Sequence, residues 1–251
     1  MYEIRNIEKD EAVLFVQKYH YSKILPRLTK HYLGVFSNDR MVGAMTLGWG
    51  TQPLQTIKKI LNKHEYKTND YIEIGKMCFS PEMNNNSLSG SKIMSLLVKW
   101  LKVNTDYNFL YTLADGIMGK CGYVYQASNF KYIGSFKTSV YRDIKTGEKI
   151  HPRSAKVLCQ ENAEWEGKDK VFWLTHDFCE YKGMEKINGL MFRYILPLNK
   201  TSKKVLSQYE SKEYPKDKDL KFSKRIEKGK FVDIETPTFD MDVFNHNFQK
   251  Y

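Results

Sequence analysis

The chain has 251 residues, 41% of them hydrophobic, enough for one substantial core or one core with an appendage. Its formal net charge of +11 disfavours an acidic, polyanion-repelling surface and favours partners such as nucleic acid. Met1-Tyr-Glu-Ile-Arg is no secretory leader, no apolar run could span a bilayer, and no paired Cys or His spacing nominates a metal, so a reduced, cytoplasmic protein with no membrane partner and no metal is expected.

Residues 2–5 read as a first strand. Asp10 is placed to cap a helix running to about Tyr19, whose Ala12, Phe15, Val16 and Tyr19 recur at i, i+3, i+4 and i+7 on one face. The helix runs into His20-Tyr21-Ser22-Lys23, and Pro26 closes it off. Residues 33–37 and 41–49 form a hairpin around Asn38-Asp39, followed by a polar insert with a helix near 56–61. The next strand, 71–80, is stopped by Pro81.

Residues 84–91 are a polar loop, and the helix after it carries Ile93, Leu96, Leu97 and Trp100 on one face. Its Ser-rich start offers caps and free backbone N–H groups able to hold an anion. Residues 108–114 read as a strand buried on both faces, 119–130 as a short helix, and 132–136 and 139–143 as two further strands before a turn at Lys145-Thr-Gly147. This order indicates a mixed α/β sheet flanked by helices. Residues 1–150 are expected to form the core and 151–251 an extension packing on it. Between Lys200 and Lys230 the extension carries eleven Lys or Arg against five Asp or Glu, with few large apolar residues, and the last twenty residues turn acidic.

The stretch from Leu113 to Gly134 is the most informative. A strand ends in a lone carboxylate, Asp115, followed by a glycine-bearing turn and a polar-aromatic segment with Tyr125, Ser128 and Asn129. Asp115 suits a base or an orienting group, or else a helix cap. His20 could shuttle a proton near neutral pH, or bond the last carbonyls of its helix. Tyr21 and Tyr125 could stack on a flat base, donate an O–H to developing charge, or pack in the core.

Taken together, His-Tyr-Ser after the first helix, the strand Glu73-Ile-Gly-Lys-Met77, a Ser-bearing loop and Ala-Asp…Gly…Gly-x-Val-Tyr-x-Ala-Ser-Asn-Phe resemble the phage Mom-type proteins. The resemblance covers Phe15 to Arg142 and is most specific from Ala114 to Phe130, with a weaker echo in Arg193-Tyr-Ile-Leu-Pro-Leu198 and Tyr214-Pro215-Lys216. It implies a GNAT-like fold, a divergent acyltransferase branch. It also implies an enzyme that places a short amide-bearing carbon group on adenine N6 in phage DNA, protecting it from restriction. The match carries catalytic roles to His20, Tyr21, Asp115 and Tyr125.

By the same match, Lys76, Ser87, Ser89, Gly90 and Ser91 stand where the GNAT fold holds an acyl-CoA pyrophosphate, so acetyl-CoA or another activated acyl donor is implied. Lys76 departs from the family's usual Arg, offering a point charge rather than a bidentate fork. The loop keeps a single glycine. DNA is the implied partner, with Lys203, Lys204, Lys224 and Arg225 as its phosphate contacts. Two other readings stay open: an ordinary GNAT N-acetyltransferase acting on a small amine or a protein, and a non-catalytic nucleic-acid-binding module on the same scaffold.

Overall fold

The computed structural model describes residues 2–85, 90–152 and 154–244. Its strands belong to one mixed, ten-stranded sheet with helices between them, as the sequence pattern indicates. The chain divides into two compact units: 1–114, 122–134 and 192–214 form the first, and 115–121, 135–191 and 215–251 the second. The division does not fall at residue 150, because two long strands, 131–143 and 184–197, each pass from one unit into the other.

The first unit opens with β1 (Tyr2–Asn6) and α1 (Lys9–Tyr19). Ala12 and Val16 are buried, while Phe15 and Tyr19 pack on a cluster with Ala44 and Cys78, the face that the spacing indicates. The helix starts two residues earlier than a cap at Asp10 would have it. Glu8 is the cap, and its N–H donates to Glu11 Oε2 at 3.0 Å.

The hairpin is β2 (Leu28–Ser37) and β3 (Arg40–Trp49), joined by Asn38 and Asp39 at φ 47° and 64°. Asn and Asp tolerate that left-handed geometry, and two such residues match the twist of the flanking strands. α2 (Pro53–Ile60) precedes β4 (Tyr71–Phe79), which runs antiparallel to β3. α3 (Gly90–Asn104) then crosses over to β5 (Phe109–Asp115), parallel to β4. α3 buries Ile93, Met94, Leu97 and Leu101.

Two details of β4 and β5 make an opening. Thr46 pairs with Lys76 but Leu47 with Ile74, so Gly75 bulges out of the ladder. Glycine is needed there, because a Cβ would lie 2.8 Å from Pro26 Cγ. The β4–β5 pairing runs from Tyr71↔Phe109 to Ile74↔Thr112 and stops, although both strands continue. The two parallel strands therefore part just past the bulge. The carboxyl ends of parallel strands are where open α/β sheets take ligands.

The segment 119–130 holds only one short helix, α4 (Tyr123–Gln126), preceded by a 3-10 turn at Gly116–Met118. Gly119 and Gly122, at φ 67° and 91°, break what would otherwise be a longer helix. Residues 132–143 are not two strands but part of one, β6 (Lys131–Asp143).

The second unit continues with β7 (Lys149–Ile150), α5 (Lys156–Trp165), α6 (His176–Tyr181) and β8 (Met184–Pro197), whose last residues return to the first unit. Its core gathers Tyr141, Ile150, Leu158, Leu174, Phe178 and Met184. The basic extension is more structured than its composition implies. It contains α7 (Lys200–Leu206) in the first unit and the hairpin β9 (Ser223–Glu227) and β10 (Lys230–Asp233) in the second.

Candidate active site

In the first unit the groups flanking the strand opening are tied together. His20 ends α1 with extended backbone, is buried, and stacks on Tyr21 with ring centroids 4.3 Å apart. The Ser22 N–H donates to His20 Nδ1 at 2.8 Å. A nitrogen that accepts carries no proton, so the neutral ring holds its proton on Nε2 and presents a donor there. Lys76, on β4 next to the bulge, donates from Nζ to Ser22 Oγ at 2.7 Å. Its ammonium thus anchors the His-Tyr-Ser segment to the edge of the opening.

Tyr125 lies on α4, buried, with Phe130 and Tyr194 rings 5.4 and 5.5 Å from its own. Gly122 permits that packing: a Cβ there would meet Tyr194 Cε2 at 2.6 Å. Burial raises the Tyr125 pKa, with Thr112 pulling the other way, so the phenol keeps its proton at neutral pH. A ring enclosed on this scale is no platform for stacking a base; what Tyr125 has to offer is its O–H. It sits beside Thr112 Oγ1, which is buried with no partner of normal hydrogen-bond geometry, as is Thr46 Oγ1 opposite Lys76. Buried hydroxyls left in this state are uncommon and mark a place where a bound group would be welcome.

In the second unit Asp115 is fully engaged. Oδ1 accepts from the Ile117 N–H at 3.1 Å, the capping role, and Oδ2 holds Lys149 Nζ at 2.7 Å. Both side chains are largely buried, so removing either one would leave its partner without a counterpart in the interior. Lys149 is 34 positions away in the chain, and no motif announces it. Thr112, by contrast, stands out in the sequence as a hydroxyl in an otherwise apolar strand.

The remaining expected residues divide. Ser87 and Ser89 lie outside the described residues. Gly90 opens α3, where a Cβ would meet Val124 Cγ2 at 2.5 Å, so packing against α4 explains the glycine. Ser91 follows it in the first turn of that helix. Lys203 and Lys204 are exposed on α7 and suit phosphate contacts.

Lys224 and Arg225 need correcting. Lys224 Nζ pairs with the buried Glu185 at 2.7 Å, which Arg142 also holds. Arg225 donates to the carbonyls of Leu174 and Thr175 at 3.4 and 3.0 Å and contacts Cys179 Sγ. A guanidinium spent on backbone carbonyls fastens a loop and is not available to a phosphate. Among the described residues, His176, Asp177 and Glu180 could together reach a metal ion, but two of the three are exposed and nothing else there points to one.

Fold and site together define an α/β protein whose parallel strands β4 and β5 part beside a group of buried polar side chains, His20, Tyr125, Thr46 and Thr112. The chain belongs to the Mom protein family, whose model matches residues 1–216. It is 28% identical over 210 residues to the methylcarbamoylase mom of Escherichia phage Mu, covering 82% of this chain and 80% of that protein.

Among solved structures it overlaps the ribosomal-protein-S18-alanine N-acetyltransferase of Escherichia coli (TM-score 0.41, 9% identity, 79% of this chain and 95% of that one). It overlaps a Bacillus subtilis acetyltransferase in complex with CoA to the same degree (TM-score 0.41, 10% identity, 79% and 100%). These overlaps are of outline only, and nothing about the site is taken from them. Among the described residues no helix is long and apolar enough to cross a membrane.

Proposed function

We propose that this chain is a transferase that modifies adenine in DNA, attaching a small acyl-derived group of carbamoylmethyl type to the exocyclic N6. In phage DNA the group would stand in the major groove, where nucleases read adenine N6 and N7, and would shield sites from restriction. The observation that carries this reading is membership of the Mom family, with the likeness to the Mu methylcarbamoylase across most of both chains. The basic chain and its exposed Lys203 and Lys204 are in keeping with a DNA substrate.

Adenine N6 is a weak nucleophile because its lone pair is delocalised into the ring. Its transfer chemistry needs a proton removed as the bond forms and donors for the charge that develops on the acyl oxygen. His20, with its proton on Nε2, and Tyr125, held protonated, are both suited to donate to that oxygen. Ser22 and Lys76 are positioning residues that set the orientation of His20. Tyr21, stacked on His20, supports the ring. Asp115 is the carboxylate of the family pattern. With Oδ1 on the Ile117 N–H and Oδ2 on Lys149, its role in this proposal is as an orienting group.

Acetyl-CoA alone would give an N6-acetyl product, so the carbamoylmethyl-type product needs another activated donor that already carries the amide nitrogen, whose activating group leaves as N6 bonds to the transferred carbon. Among the described residues the fit to a CoA pyrophosphate is poor: Val124 accounts for Gly90, and Ser22 takes the Lys76 ammonium. Only the amide end of the fifteen-residue α3 favours an anion there, so no step is routed through CoA. The test supplies purified protein with duplex DNA and donors labelled in the transferred carbons. Label in the adenosine fraction supports the proposal. Label only in a small amine or a protein points to an ordinary N-acetyltransferase, and DNA binding without transfer to a non-catalytic module.

A further inference from the structure

The linker between α5 and α6 carries two large rings that folding leaves in water: Phe172 is 71% exposed and Trp173 57%. The next residue, Leu174, is buried in the core of the second unit, so the chain had a core within reach. Both ends of the linker are pinned. At the start, Gly167 takes φ 62° and donates to Glu164 O at 3.1 Å, and the Lys168 N–H donates to Ala163 O at 2.8 Å. At the end, the Leu174 N–H donates to Tyr141 Oη at 3.0 Å and the Thr175 N–H to Asn162 Oδ1 at 2.8 Å. Arg225 clamps the carbonyls of the same two residues. Anchors on each side present the two rings in a defined place.

Cations accompany the rings. Lys170 Nζ lies 4.7 Å from the Phe172 ring centroid, and Lys186 Nζ 5.5 Å from that of Trp173. The acidic groups on the linker are Glu166, already paired with Lys168, and Asp169. Paired exposed rings with ammonium groups at their faces fit a ligand that offers flat π-surfaces and phosphates together, which is nucleic acid. An enzyme that takes a base out of a duplex leaves a gap in the stack, and apolar side chains entering between base steps fill such gaps.

We infer that Phe172 and Trp173 form a wedge that enters the base stack of bound DNA, with Lys170 and Lys186 near the flanking phosphates. The inference rests on the reading of DNA as substrate. It also gives Arg225 its function: the guanidinium holds the loop that touches DNA.

The test compares wild type with Phe172→Ala/Trp173→Ala on a short duplex and on the same duplex with one abasic site. Both side chains are exposed, so the unfolding midpoint should not move. Wild type should prefer the abasic duplex, because its gap is already open. The double variant should bind that duplex ~10-fold or more weakly, lose the preference, and keep its salt dependence. A wild type without the preference, or a variant that keeps it, overturns the wedge. A variant with unchanged DNA binding that sediments as a smaller particle also overturns it, making the rings a contact between copies of the chain. Modified adenine is measured in parallel: its absence from wild-type reactions removes the modification reading, while a preference abolished by the variant still upholds the wedge.

Discussion

The two units differ in the aromatic rings they leave in water and the charges they bury. The first buries Tyr71, Phe109, Tyr111, Tyr125, Phe130 and Tyr194, and its exposed large apolar side chains are aliphatic apart from Tyr123 and Tyr214. The second leaves Trp165, Phe172, Trp173, Tyr181 and Phe231 in water while it buries Asp115 with Lys149 and Glu185 with Arg142 and Lys224. A buried charge must be paired, so at Asp115 and Glu185 and their partners sequence charge measures internal tethering and says little about binding. In the first unit the ion pairs, Arg5 with Glu3 and Asp39 and Arg40 with Glu82, lie exposed, and the candidate site's groups meet through neutral or singly charged links. The contrast explains why net charge does not by itself locate contacts: Lys224 and Arg225 are tied into the second unit, while Lys203 and Lys204 stay exposed.

The sharpest test of this contrast is Asp115→Asn. If the charge acts in chemistry, adenine modification should fall by about 10²- to 10⁴-fold. The same change orphans Lys149 and should lower stability. In the double variant Asp115→Asn/Lys149→Met the orphaned charge is gone, so the unfolding midpoint should recover while the activity stays low. Recovery of both would leave Asp115 a purely structural cap and ion pair.

Glu185→Ala breaks the second unit's other charge cluster and should cost about 3–5 kcal/mol, read from the denaturant midpoint, because two cations lose their buried partner. Burial alone would raise the Glu185 pKa, but Lys224 and Arg142 outweigh it and the net shift is downward. A carboxylate with a lowered folded pKa stabilises fully above its unfolded value of about 4.3 and loses that contribution as pH falls through the folded value. Acid unfolding of wild type should therefore show this loss, and the Glu185→Ala variant should lack that part of it.

Tyr125→Phe sharpens the first unit's side of the comparison. Loss of an O–H that stabilises developing charge should slow modification about 10²-fold. The midpoint should change little, since the ring packing is kept. An unchanged rate would make Tyr125 core alone.

The smallest effect is expected at Lys203 and Lys204. Their joint replacement by Ala should flatten the salt dependence of DNA binding by nearly two phosphates' worth, at about 0.9 per contact. Lys224→Ala should instead lower stability and leave that slope alone.

Much of the fold could be read in advance where local rules act alone. Asn38-Asp39 dictates a hairpin, and the spacing of Ile93, Leu97 and their neighbours dictates α3. Gly119 and Gly122 were visible, but their positive φ values, which cut the expected helix short, depend on how α4 meets Tyr194. The bulge at Gly75, where Pro26 leaves no room for a Cβ, and the parting of β4 from β5 are likewise tertiary. At the site, His20 and Tyr125 could be named from their pattern. The proton on His20 Nε2 could not, since it follows from a backbone N–H two residues on. Lys149 and the Arg225 clamp are contacts distant in sequence, which no spacing encodes.

Mass spectrometry of nucleosides from DNA of cells making the wild-type chain, beside DNA from cells making His20→Ala or Tyr125→Phe, decides whether adenine is modified. An adenosine heavier by a carbamoylmethyl-type group is expected in the wild-type DNA, and strongly reduced in both variants. Wild-type DNA containing only ordinary adenosine, from cells in which the folded protein is abundant, would contradict the proposed modification.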